Sequence, residues 1–214
     1  MVNHNKIIRG DGDVSLDGKT NAETYDAMAP NYDEQLSNWS YEAPEQAVRL
    51  LAKHLPNLKT ATILDCGCGT GMTGAALRKA GAGGAITGLD MSKASLEIAR
   101  TKGVYDRLET ADLNQPLAFE DETIDGALCV GVLSYVNEKP LLREWKRVIR
   151  PGGIIVFTSR DDFFEDRNYT DTLARLEAEG GWSTLHISHP MPYLADHPEF
   201  AKDVQVIYGV CRVG

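Results

Sequence analysis

The sequence has no run of about 18 apolar residues, the length a helix needs to cross a bilayer, so a membrane span is not expected. It is short of positive charge: 22 Lys and Arg stand against 31 Asp and Glu, a net charge of −9. That balance argues against a surface built to bind nucleic acid, which depends on basic patches. Cysteine is scarce, four in 214 residues. Its spacing is wrong for metal, because Cys66-x-Cys68 is too tight for a usual zinc pair and Cys129 and Cys211 stand alone. His186, His189 and His197 form no recognised ligand pattern either, and no metal is expected. Asp11, Asp13 and Asp17 faintly suggest a calcium loop, but Leu16 and Ala22 occupy the positions where that loop needs glycine and glutamate. The first residues, Met1-Val2-Asn3-His4-Asn5-Lys6, hold no apolar signal region, and a cytoplasmic protein with reduced thiols is the expectation. Repeats, low-complexity segments and interdomain linkers are missing too. What remains, with 43% hydrophobic residues, suits one sizeable α/β domain.

The stretch around which the chain is organised is Ile63-Leu64-Asp65-Cys66-Gly67-Cys68-Gly69-Thr70-Gly71. An apolar run enters a turn with glycines at alternate positions, and a helical pattern with Ala75, Ala76, Leu77 and Ala80 follows. Strand, glycine turn and helix make a nucleotide site, since the backbone can approach a ligand and the helix N-terminus offers free N–H groups. Gly69-x-Gly71-x-x-Gly74, with Asp90 about 20 residues on, even satisfies the dinucleotide fingerprint. Asp65 opposes that reading, because a carboxylate at the strand end would repel a pyrophosphate, whereas it suits a ligand carrying an ammonium group. A second strand, Ala85 to Asp90, ends in another carboxylate, whose two oxygens suit a ribose diol.

The order Asp65-x-Gly67-x-Gly69-x-Gly71, then Asp90, resembles the class I S-adenosylmethionine (SAM)-dependent methyltransferases. A closer resemblance is to the methyltransferase-like family named for the Williams-Beuren syndrome region. It is carried by Tyr25-Asp26-x-Met28-Ala29-Pro30-Asn31-Tyr32-Asp33, Tyr41-x-Ala43-Pro44, Ile63 to Gly71, Gly88-Leu89-Asp90-x-Ser92 and Val130-Gly131-x-Leu133-Ser134. The matching spans roughly residues 25 to 160. The resemblance implies a Rossmann-like class I methyltransferase fold of α/β class: a mostly parallel seven-stranded sheet, helices on both faces and a C-terminal antiparallel hairpin. It implies SAM as cofactor and S-adenosylhomocysteine (SAH) as product.

By the same resemblance, Asp65, Gly67 and Gly69, with Cys68 between them, hold the methionine end of SAM. Asp90 takes the ribose hydroxyls and Met91 packs on adenine. Asp112 reaches the adenine amino group and Leu113 gives the ring a backbone N–H. Tyr25 and Tyr32 belong to a lid, and an aromatic face near a sulfonium gains cation–π stabilisation. The strand read from Asp125 to Val132 is apolar nearly throughout and its end faces the ligand crevice, which adds Val130 to the cofactor set. There the nucleic-acid amino-methylating enzymes carry Asn/Asp-Pro-Pro-Tyr/Phe, whereas this chain has Val130-Gly131-Val132-Leu133, which argues against base methylation.

Candidates for an acceptor pocket are Trp39, Tyr41, Ser134, Tyr135 and Arg160. No residue announces itself as a general base, and no catalytic residue is assigned. Trp145, at helical spacing with Leu141, Leu142, Val148 and Ile149, is read as core. Residues 1–20 are expected to be a flexible N-terminus, 21–58 a helical lid and 59–214 the Rossmann-like core of a single domain. The function expected is methyl transfer from SAM to a small molecule by a monomer, with a protein side chain as the second choice of acceptor. A SAM/SAH-binding accessory or sensor protein is the alternative, and an NAD-dependent oxidoreductase, resting on Gly69 to Gly74 alone, ranks below both.

Overall fold

The central strands of this chain are apolar on both sides, so the sheet they build must be covered on both faces. The computed structural model, which describes residues 18–198, 201 and 203–214, has that arrangement. Helices α1 (Gly18–Met28), α2 (Tyr32–Asn38) and α3 (Ala43–His54) precede β1 (Ile63–Cys66). Then come α4 (Met72–Lys79), β2 (Ile86–Asp90), α5 (Lys93–Lys102), β3 (Arg107–Thr110), β4 (Ile124–Cys129), α6 (Glu138–Val148) and β5 (Ile149–Arg160). The chain finishes with α7 (Asp161–Asp166), α8 (Tyr169–Ala178), β6 (Trp182–Ile187), β7 (Met191–Pro192) and β8 (Gln205–Val213).

The sheet runs β3-β2-β1-β4-β5-β8-β6, with the two-residue β7 also pairing with β8. The seven expected strands are the continuous path, and β7 makes eight. Strands β1 to β5 pair in parallel, while β8 is antiparallel to both β5 and β6. The chain winds one way from β1 to β3 and the other way from β4 on. The C-terminal ends of β1 and β4 therefore flank a topological switch point, where ligands bind in such sheets.

Side chains alternate across the sheet and feed two cores. Leu64, Cys66, Ala127, Cys129, Ile155 and Phe157 face α6 and α8, with Trp145 and Tyr169 fully buried among them. Trp145 is thus core, and its Nε1–H donates to Cys66 Sγ at 3.3 Å. Ile63, Ile86, Leu128, Ile154 and Val156 face the other way, against Ala47, Val48 and Leu51 of α3 and Leu77 of α4. All four cysteines are buried and free. Among the described residues no helix is long and apolar enough to cross a membrane, and no group of His, Cys, Asp and Glu is placed to hold a metal.

Some boundaries differ from those expected. Helix α1 begins at Gly18, inside the segment read as a flexible N-terminus; the rest of that segment, with Asp11, Asp13 and Asp17 of the rejected calcium loop, lies outside the described residues. Strand β4 stops at Cys129 rather than Val132, because the chain turns at Gly131 into a 3-10 turn, Leu133–Tyr135. Strand β5 starts at Ile149 and carries Pro151-Gly152-Gly153 as an irregularity, its partners stepping from Ile124↔Ile149 to Gly126↔Ile154. Asp125 accepts the Thr62 N–H at 2.7 Å and pairs with Arg150, tying the start of β1 to β4 and β5.

Candidate functional site

The glycine turn leans on β2. The N–H groups of Gly67 and Cys68 both donate to the Leu89 carbonyl, at 2.7 and 2.9 Å. Gly69 N–H donates to Asp90 Oδ2 and Ser92 N–H to Asp90 Oδ1, each at 2.8 Å. One bond to each oxygen fixes the plane of the carboxylate and leaves each oxygen a further lone pair. Burial raises the Asp90 pKa, against the pull of these N–H donors. Ser92, not Asp90, is the N-cap of α5, its hydroxyl accepting the Ser95 N–H at 3.0 Å.

Asp65 does not stand on the wall of the cleft. It is fully buried behind the turn, with the Tyr105 hydroxyl donating to Oδ2 at 2.6 Å and with Oδ1 unpaired. Burial pushes its pKa up to about 7, with the Tyr105 hydrogen bond opposing. Any influence of this side chain on a ligand therefore passes through the turn.

Three contiguous clefts open at the switch point. The first spans about 740 Å³ with the open space at its mouth included. Tyr25, Tyr32, Gly67, Gly69, Asp90, Met91, Asp112, Leu113 and Val130 line it, so nine of the eleven residues proposed for the cofactor meet on one wall. Among the described residues, the carboxylates Asp90 and Asp112 are its only charged lining. A wall of that sign repels a pyrophosphate and attracts a cation. Cys68 lines a smaller cleft beyond the turn, with Thr70, Thr73, Pro44 and Tyr41, and this shares Tyr32, Gly67, Gly69 and Val130 with the first.

The second cleft encloses about 680 Å³ and lies under α1 and α2. Trp39, Ser134, Tyr135 and Arg160 line it, as do Tyr193, Thr158 and Ser159. Tyr41, expected in the same pocket, is one ring removed: it packs edge-on against Tyr193 at 5.3 Å and faces the cleft of Cys68 instead. Tyr25, Tyr32, Gly131 and Tyr135 line both the first cleft and the second. Burial raises the pKa of Tyr25, Tyr32, Tyr135 and Tyr193, so these hydroxyls stay protonated near neutral pH. Arg160 is the only charged residue on the second wall among the described residues, and it pairs with Asp162 at 2.5 Å. His197 lies behind Trp39, ring against ring at 4.4 Å.

Two aspartates fasten the helices that roof the clefts. Asp26 Oδ1 of α1 accepts the Ser92 hydroxyl at 2.6 Å and the Ala94 N–H at 3.0 Å, a carboxylate at the N-terminus of α5, where the helix dipole favours it. Asp33 of α2 accepts the Thr70 hydroxyl of the glycine turn and pairs with Lys102. The two acids of the Tyr-Asp repeat are thus clasps, while its two tyrosines face the clefts. Sequence reasoning singled out the tyrosines but missed this division of labour. It also missed Asn21, Asn114, Tyr193 and Thr158, which carry no local motif and reach the clefts from distant elements.

Comparison with known proteins bears on the family and the fold. Residues 64–157 match the family model described as a methyltransferase domain. Over 171 residues the chain is 38% identical to methyltransferase-like protein 27 of Homo sapiens, covering 75% of this chain and 67% of that one. Across eight of the curated relatives it matches, the chain spans from 45% to 69% of their lengths. Among solved structures, the putative methyltransferase in complex with the Trm112 methyltransferase activator of Haloferax volcanii superposes with a TM-score of 0.66 at 18% identity, over 90% of this chain and 96% of that one. Geranyl diphosphate C-methyltransferase of Streptomyces coelicolor, solved with Mg2+, geranyl diphosphate and SAH, gives 0.62 at 16%, over 78% of each chain. At these identities the structural likeness speaks for the fold.

Proposed function

The chain belongs to the class I SAM-dependent methyltransferases, in the family of methyltransferase-like protein 27, and from that premise we propose that it methylates a compact acceptor with a flat, largely apolar body. The observation that carries this reading is the junction of the two large clefts, where Tyr25, Tyr32, Gly131 and Tyr135 belong to both walls. The residues of the first cleft fit SAM: Asp90 for the ribose diol, Met91 for a purine face, Asp112 for the purine's amino group and the Leu113 N–H for its ring. The aromatic faces of Tyr25 and Tyr32 suit a sulfonium. When bound, SAM supplies a methyl group that is already electrophilic.

The chain's own residues then have to orient the acceptor and exclude water. Tyr135, Tyr193 and Trp39 offer flat faces in the second cleft, and Ser134, Thr158 and Ser159 offer hydroxyls. Among the described residues no Asp, Glu, His, Lys or Cys lines it, and burial keeps its tyrosines protonated. An acceptor that brings an available lone pair, as an anion or as a soft nucleophile, suits such a wall better than one needing a protein base. The net charge of −9 disfavours nucleic acid as the acceptor. Met191, 38% exposed, is the exposed large apolar side chain among the described residues, which supports a monomer.

Calorimetric titration of cofactor-stripped protein with SAM, SAH and NAD tests the premise. Binding of the first two and not of NAD is expected; NAD binding alone overturns it. A panel of thiols, phenols and carboxylic acids, read by SAH release, then tests the acceptor reading, and turnover confined to large polar or polymeric acceptors would refute it. Tyr32→Ala is expected to raise the SAM dissociation constant roughly tenfold, within the range of a desolvated cation–π contact, with a much smaller effect on melting temperature. Equal affinity in the mutant would remove Tyr32 from the site.

A further inference from the structure

Tyr105 sits between α5 and β3 and lines none of the three clefts. Its hydroxyl donates to Asp65 Oδ2 at 2.6 Å and accepts the Gly74 N–H at 3.0 Å. Asp65 lies in β1 and Gly74 in the first turn of α4, so one oxygen clasps the two elements that the glycine turn connects. Burial raises the Tyr105 pKa, which keeps the donated proton in place.

The ring is as tightly placed as the hydroxyl. A Cβ on Gly74 would overlap it, and one on Gly71 or on Gly88 would stand only 3.1 Å from it. These glycines leave room for a tyrosine ring, whereas Gly67 and Gly69 face the first cleft. The pattern Gly69-x-Gly71-x-x-Gly74, which reads as a ligand fingerprint, is therefore divided between ligand and tyrosine.

We propose that Tyr105 is a positioning residue for the cofactor: acting through Asp65 and Gly74, it holds the turn in the shape that presents Gly67 and Gly69 to the methionine end of SAM. The proposal rests on the reading of the first cleft as a SAM site. Besides Tyr105, the titratable groups facing Asp65 are Cys66, Cys68, Cys129 and Asp90. Burial raises the three thiol pKa values, so they stay neutral and Asp90 is the one other charge.

Tyr105→Phe keeps the ring and deletes only the oxygen. Calorimetry is expected to show a SAM dissociation constant raised roughly tenfold, the effect of losing a hydrogen bond to a charged group. The titration of Asp65, followed by 13C NMR of its side-chain carboxyl in the cofactor-free protein, is expected to move to higher pH, because the hydroxyl that lowers its pKa is gone. A purely structural role would lower the urea midpoint and move the Asp65 titration but leave the SAM dissociation constant where it was, which overturns the proposal. A Phe variant unable to fold also overturns it, since the hydroxyl would then hold the fold rather than the turn. Wild-type protein that fails to bind SAM refutes the cofactor reading instead, so the two failures are distinct.

Discussion

Asp65→Asn is expected to make the protein less sensitive to pH, and more stable at neutral pH than the wild type. The Asp65 pKa is raised from 3.8 to about 7 in the fold, with burial as the dominant cause. Between those values the unfolded chain has released the proton and the folded chain has kept it, so the unfolded state binds fewer protons and stability falls as pH rises. The contribution is fully present below about pH 4 and has been lost once pH passes about 7. A shift of about three pH units corresponds to about 4 kcal/mol, an upper value for one buried group. Asn has nearly the same shape and still accepts from the Tyr105 hydroxyl, but it cannot ionise. Urea unfolding of both proteins without cofactor, at steps from pH 4 to 8, should give a stability difference that grows in favour of the Asn variant. Asp90 shifts in the same direction, while Asp106, Glu144 and Glu177 shift the opposite way, and all four are common to both proteins. Parallel curves would show that Asp65 does not titrate in this range.

Asp90→Ala is expected to cost SAM affinity by about 1–3 kcal/mol, a rise in the dissociation constant of roughly fivefold to 150-fold. The removal acts twice. It deletes the acceptors proposed for the ribose diol, and it leaves the Gly69 and Ser92 N–H groups, each 2.8 Å from a carboxylate oxygen, without partners. Asp90→Asn retains one oxygen and should fall between wild type and Ala. Calorimetry with SAH gives an independent reading of the same wall, since SAH has the ribose but not the sulfonium. A dissociation constant unchanged for both ligands would sink the ribose role. A loss for SAM alone would relocate Asp90 to the charged end of the cofactor.

The outline of this protein is written in local pattern. Apolar runs bounded by glycine and proline mark strands β1, β2 and β4, and spacings such as Leu141, Leu142, Trp145 and Val148 mark helix faces. Asp65 and Asp90 could be read as strand-end carboxylates because they stand where a strand period gives way to a turn. Strand-and-helix periodicity depends only on neighbours a few residues apart, which is why it survives in one dimension. The resemblance carried by these motifs led to the cofactor, but the acceptor left no comparable trace. Its cleft is assembled from α1, α2, the turn after β4, the end of β5 and the loop before β8, and no two of these are linked by a spacing.

What only the tertiary structure decided is which way the motif residues face. Asp65 and Tyr105 are 40 residues apart in sequence, Asp26 and Ser92 are 66 apart, and Tyr41 and Tyr193 are 152 apart. Such contacts are products of sheet order and helix packing, which bring distant segments together with no periodic record in the chain. The sequence by itself therefore determined an α/β nucleotide-type site and the residues around it. Packing determined that Asp65 turns inward to a tyrosine while Asp90 turns outward to the cleft, because burying one carboxylate required a donor that only the folded chain could bring to it.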